Sequence, residues 1–184
     1  GDDTAALAIA STVTVVAVND EPSLTATGSN PTFTEDGAAA SLFSSASAST
    51  IESGQTLSAL SFTVTNVNDG SDEIINVDGT AVVLTHATAG TTATNSLSYS
   101  VSVAGTTATI SLSAGTLSTA ALQTLIDGMS YQNNSSTPNT SNRVITVTSL
   151  QDSGGTANSG DDTAALAIAS TVTVVAVNDE PSLT

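Results

Sequence analysis

The chain has no cysteine, no tryptophan and no lysine, and among its 184 residues it has one arginine, Arg143, and one histidine, His86. Without cysteine there are no disulfides, the common reinforcement of small secreted domains. Set against 17 Asp and Glu, the single arginine leaves a formal charge of −16. Nucleic acid is excluded as a partner, because phosphates are met by Lys and Arg. Docking on an anionic membrane surface is disfavoured for the same reason. No apolar run approaches the ~18 residues of a membrane-spanning helix. Nucleophilic catalysis needs a Ser or Cys beside a base, and His86 lies alone in a Thr/Ala/Gly-rich stretch. Paired acids can hydrolyse glycosides, but two Tyr and no Trp offer no platform for a sugar. A non-enzymatic role is expected.

What is present begins with internal identity. Gly1 to Thr25 and Gly160 to Thr184 are the same 25 letters, GDDTAALAIASTVTVVAVNDEPSLT, at an offset of 160 − 1 = 159 residues. Self-similarity at a fixed period is the mark of a tandem array, so the chain reads as one period plus an overhang. A period of this length suits one domain. The expected division is residues 1–20 as the closing strand and linker of a preceding repeat, 21–179 as one complete repeat, and 180–184 as the start of the next.

Apolar residues recur with period two. Leu97, Tyr99, Val101 and Val103 alternate with serines, and after an Ala104–Gly105 turn Ala108, Ile110 and Leu112 alternate with Thr109 and Ser111. The pattern predicts a hairpin with one buried and one wet face. Leu60 to Val64, Ala81 to Thr85 and Arg143 to Thr148 predict further strands. In Leu166 to Val177 the parity shifts at Val175, which predicts a bulge or a crossing between sheets. One helix is expected: Ser118 as N-cap, a stripe of Ala121, Leu122, Leu125, Ile126 and Met129 covering one end or edge of the sandwich, and Gly128 as the stop. Asp127 in its last turn reads as an ordinary solvated carboxylate.

The acids gather in loops: Asp20–Glu21, Glu35–Asp36, Asp69 with Asp72–Glu73, Asp78, Asp152, Asp161–Asp162 and Asp179–Glu180. Solubility in high salt is one explanation for the excess. It would place carboxylates on exposed strand positions, which here hold Thr and Ser. Clustered oxygens beside turn-forming Gly and Asn suit a hard divalent cation instead, and Ca²⁺ is the expected one. Asp69 and Asp72, in the NVNDGSD stretch, are candidate ligands on this ground. The same residues also serve turns and soluble strand ends.

The ending STVTVVAVNDEPSLT (Ser170 to Thr184), with PTFTEDG (Pro31 to Gly37), LQTLIDGMSY (Leu122 to Tyr131) and VITVTSLQDSG (Val144 to Gly154), resembles the cadherin-like and bacterial Ig-like extender repeats of giant secreted adhesins of the RTX type. The resemblance covers the whole period and implies an antiparallel Ig-like or cadherin-like β-sandwich with one short helix, one module of an array. It implies an extracellular rod on a bacterial surface, with roles in adhesion and biofilm, whose partners are neighbouring repeats of the same chain and other copies in a fibre. It implies Ca²⁺ at the junctions, with oxygens from Asn19, Asp20 and Glu21, equivalently Asn178, Asp179 and Glu180, and from the acidic pair Glu35 and Asp36. Pro22 and Pro181, lacking an N–H, would stop the last strand from running on. The period exceeds the ~100 residues of an Ig sandwich, which implies extra strands or an inserted hairpin, placed within Gly70 to Gly105. Competing readings are a self-assembling filament, sheath or surface-layer subunit, with or without strand exchange between chains, and a lectin-like module.

Overall fold

A computed structural model describes residue 1 and residues 8–113 and 115–180. It is an all-β, sandwich-like fold with one helix. The strands in chain order are β1 (Ser23–Gly28), β2 (Thr32–Thr34), β3 (Ala40–Ser41), β4 (Phe43–Ser49), β5 (Leu57–Val64), β6 (Glu73–Val77), β7 (Thr80–Val83), β8 (Ala89–Thr91), β9 (Ser98–Ala104), β10 (Thr107–Ser113), β11 (Ser130–Asn133), β12 (Arg143–Asp152) and β13 (Thr163–Val175). One layer is a seven-stranded sheet ordered β2-β13-β12-β5-β10-β9-β8; facing it are β3-β11-β6-β7 and the pair β1-β4. All pairings are antiparallel except β2 with β13.

The alternating residues close the core. Leu60, Phe62 and Val64 of β5 lie beside Ile110, Leu112, Ile145 and Val147, all essentially without exposure. With so few aromatics, the layers meet through branched aliphatics and one aromatic pair: Phe33 packs edge-on against Tyr131, ring centres 5.6 Å apart. The β9–β10 hairpin forms as expected, turning at Gly105, whose φ of +60° suits a residue without a side chain. Hairpin β6–β7 and strand β8 occupy the region where the long period implies extra length.

The closing strand does carry a bulge, but at Leu166–Ala167 rather than at Val175: from Ile168 to Ala165 it takes three steps against two in β12, while β12 in turn takes two steps against one in β5. Register shifts between Val147 and Ser149 against both β13 and β5. There the buried set of β12 changes from Ile145 and Val147 to Leu150 and Asp152. In β13 the even positions stay inward to Val174, whereas Val175 and Val177 are simply exposed where the chain leaves the sheet.

The helix α1 (Thr119–Asp127) packs on β4 and buries Leu122, Leu125 and Ile126. Ser118 caps it, its hydroxyl oxygen accepting from Ala121 N at 3.1 Å. Ser118→Ala should lower stability by about 1 kcal/mol, read as a shifted urea midpoint with unchanged slope. Asp127 does more than face water: its Oδ1 accepts from Ala46 N at 2.9 Å, pinning the helix end to β4.

Candidate functional site at the two linker copies

Sequence identity gives the Val-Asn-Asp-Glu linker twice, and each copy shows a different neighbourhood. Asn19 is clamped at the end of the sandwich where β12 finishes and β13 starts. Its backbone carbonyl accepts from Asp161 N at 2.9 Å. Its side-chain Nδ2 donates to Asp161 O at 2.5 Å and to Asp152 Oδ1 at 3.2 Å, while its Oδ1 accepts from Gln55 Nε2 at 2.6 Å. A Cβ on Gly154 would fall on the Asn19 and Gln55 amides, so glycine there makes room for the linker. Asp20 N donates to Glu52 Oε1 at 3.3 Å. The side chains of Asp20 and Glu21 face solvent.

At the opposite end Glu35 is buried beside the outgoing chain. Its N donates to Val175 O at 2.9 Å and its Oε2 accepts from Val177 N at 2.7 Å. Asp36 next to it is exposed in a turn with φ +58°. Asn178, Asp179 and Glu180 are exposed. The expected roles of Pro181 and of the start of the next repeat lie outside the described residues, beyond Glu180.

Among the described residues, four buried side-chain oxygens have no hydrogen-bond partner: Glu35 Oε1, Glu52 Oε2, Gln55 Oε1 and Asp152 Oδ2. All four belong to residues around one or the other linker copy. A buried acceptor without a donor costs about 1–3 kcal/mol, and Asp152 is 2% exposed. Oxygens without donors are what a hard cation satisfies. Among the described residues no three acidic or histidine side chains converge on one point. The Asn19 end offers mixed donors, two carboxylates and two amides, and an amide rotated by 180° presents its oxygen. Glu52, Gln55 and Asp152 are not among the ligands expected from sequence.

Asp69 has other work. Its Oδ2 accepts from Arg143 NH2 at 2.8 Å and from Asn133 Nδ2 at 2.7 Å, and both oxygens take Asn139 N. Glu73 takes Arg143 NH2 at 2.9 Å and Nε at 3.0 Å, Tyr131 OH at 2.9 Å, and the N–H groups of Asn68 and Asp69. Arg143 NH1 donates to the Asn139 and Ser141 carbonyls, so all five guanidinium N–H groups are used. Burial works to lower the Arg143 pKa, and the hydrogen bonds to Glu73 together with the electrostatic influence of Tyr131, Glu73 and Asp69 more than reverse it, so it stays above its ordinary value. Burial, joined by the Glu73 charge, pushes the Tyr131 phenol up, and it remains a neutral donor. Both Asp69 oxygens are thus engaged by donors, and Asp69 and Glu73 share the single positive charge of Arg143. Asp72 sits in the short turn Gly70–Asp72, with its backbone carbonyl taking Asn134 N.

No family model matches the chain, and neither curated proteins nor solved structures yield a match.

Proposed function

We propose that this chain is a structural repeat of a tandem array, a spacer in a long extracellular bacterial adhesin or fibre, stiffened by Ca²⁺ where one repeat meets the next. The observation carrying it is the placement of the four partnerless oxygens. Because Val18–Glu21 and Val177–Glu180 are the same four residues, the two neighbourhoods are the two halves of one junction. At such a junction Glu35 of the preceding repeat lies against the residue before the linker asparagine, and Glu52, Gln55 and Asp152 of the following repeat surround that asparagine. Three carboxylates then meet across a short linker. Without a cation they repel; with Ca²⁺ they share its charge, and the linker loses bending freedom. Each end of a single repeat carries only part of this set, and two repeats in succession bring the parts together. The extracellular setting rests on the resemblance of the VNDEP ending to repeats of secreted adhesins.

Thermal unfolding of a protein of two consecutive periods tests this. Millimolar Ca²⁺, but not Mg²⁺, should raise the melting temperature relative to excess chelator. Binding at a hundredfold excess over Kd stabilises by about 2.7 kcal/mol, which for a domain of this size is roughly 5–10 °C. Superimposable curves would assign the acids to solubility and favour the filament or sheath reading.

A further inference from the structure

The two copies of the closing segment differ in one respect that sequence does not explain. In β13, Val172 and Val174 are 0% and 3% exposed; their counterparts Val13 and Val15 are 81% and 87% exposed, and residues 8–18 pair with no strand. The sequences are identical, so the difference lies in the partner. β13 has β12 on one side and β2 on the other. We infer that Ala8–Val16 is a strand built for a second copy of this chain, entering that copy's sheet between β2 and β12. The register is given by the seated copy: Arg143 opposite Val172, Val144 opposite Thr171, Val147 opposite Ile168, and Phe33 opposite Val174. Val13, Thr12, Ile9 and Val15 take those places in turn.

The chain cannot use this strand on itself. In the slot, Val16 would stand beside Thr34, at the Glu35 end of the sheet. Asn19 is held at the other end, beside Asp152 and Asp161. A strand the length of β13 spans about 40 Å, whereas the three steps from Val16 to Asn19 reach about 10 Å. The partner is therefore another copy of residues 26–159, covalently preceding in an array or on a separate molecule. The identification of that copy with the preceding repeat rests on the reading above; the strand pairing itself needs no cation. Seating the strand in a separate molecule brings the donor's Val18 to the acceptor's Glu35 and so rebuilds the junction without a covalent link.

The unaltered chain has its own β13 in cis, which outcompetes a strand from solution through its effective concentration, and it should sediment as a monomer. Val172→Asp with Val174→Asp unseats β13 and leaves each molecule with one empty slot and one intact donor strand. In the presence of chelator, this doubly substituted chain should form head-to-tail oligomers that keep the β-sheet circular dichroism of the parent. Adding Val13→Asp and Val15→Asp should abolish the oligomers. Thr12→Cys with Val144→Cys in the doubly substituted background, in a chain otherwise free of cysteine, should give disulfide-linked ladders. A doubly substituted chain that stays monomeric, folded or not, overturns the inference, as do oligomers that survive the Val13 and Val15 changes. Melting of the two-period protein in Ca²⁺ reports on the junction separately.

Discussion

Replacing Arg143 with methionine should destabilise the fold by about 3–5 kcal/mol, the range for breaking a buried ion pair from one side. The reason is what stays behind. Glu73 is fully buried and Asp69 nearly so, and both depend on the guanidinium for charge neutralisation. Removing it leaves two carboxylates close together in the interior, in a chain with no other Lys or Arg to answer them. The loss also frees the Asn139 and Ser141 carbonyls, which hold the approach to β12. Against a typical total of about 5–15 kcal/mol, this is a large fraction, and the melting temperature should fall by on the order of 10 °C. Chemical denaturation followed by circular dichroism measures it. Pairing Arg143→Met with Glu73→Gln should recover part of the loss, because the remaining group is neutral and keeps an oxygen for Asn68 N and Asp69 N. A loss under about 1 kcal/mol for Arg143→Met would mean that water or counterions reach Glu73.

That cluster shows what a sequence hides. One arginine among 17 acids is a visible fact, and its rarity alone suggests that it sits where a carboxylate is buried. Which carboxylate is not visible, because Asp69 and Glu73 lie 74 and 70 residues away and meet it only across the ends of β5, β6 and β12. The strands are easier to read. Period-two alternation is a local property, so the β9–β10 hairpin and the core positions of β5 follow from adjacent residues. The capped helix is equally local. The bulge of the closing strand is misplaced by sequence because exposed Val175 and Val177 imitate a parity change, while the real extra residue, at Leu166–Ala167, leaves the inward alternation of β13 unbroken, and the shift at Thr148 of β12 sits among Thr and Ser that carry no hydrophobic signal.

The candidate site divides the same way. Glu35 and the linker asparagines carry a recognisable local pattern, and Glu35 is the member of its acidic pair that is buried against the outgoing chain. Glu52, Gln55 and Asp152 have no such pattern. They converge on Asn19 because the connection from β4 to β5 and the end of β12 reach the same end of the sandwich. No spacing rule brings positions 19, 52, 55 and 152 together. Partnerless buried oxygens, which need coordinates, single them out.

Asp152→Asn is the substitution on which those oxygens can be tested, because its effect should change sign with conditions. In the two-period protein in chelator, Asp152 carries a buried Oδ2 with no donor, as do Glu52 at its Oε2 and Gln55 at its Oε1 around the same linker. Asparagine keeps an oxygen for Gly154 N at the Oδ1 position, where the acid accepts at 2.8 Å, and puts an NH2 group in place of the orphaned oxygen. It removes one charge from a crowded set and supplies a donor. In chelator the variant should therefore match or exceed the parent by about 1–2 kcal/mol, within the 1–3 kcal/mol attached to an unsatisfied buried acceptor. In saturating Ca²⁺ the order should reverse, because a neutral amide is a poorer ligand than a carboxylate and the variant forfeits most of the ~2.7 kcal/mol that ion binding supplies at a hundredfold excess. The swing between the two conditions is then about 4 kcal/mol, larger than either effect alone. Ordinary core damage is separable from it, because that lowers stability under both conditions. Asp36→Asn, at an exposed position, is the matched control and should leave both curves within about 0.5 kcal/mol of the parent. If Asp152→Asn lowers stability equally with and without Ca²⁺, the carboxylate is a structural acceptor for Gly154 and Asn19, and the cation does not bind at this end of the repeat.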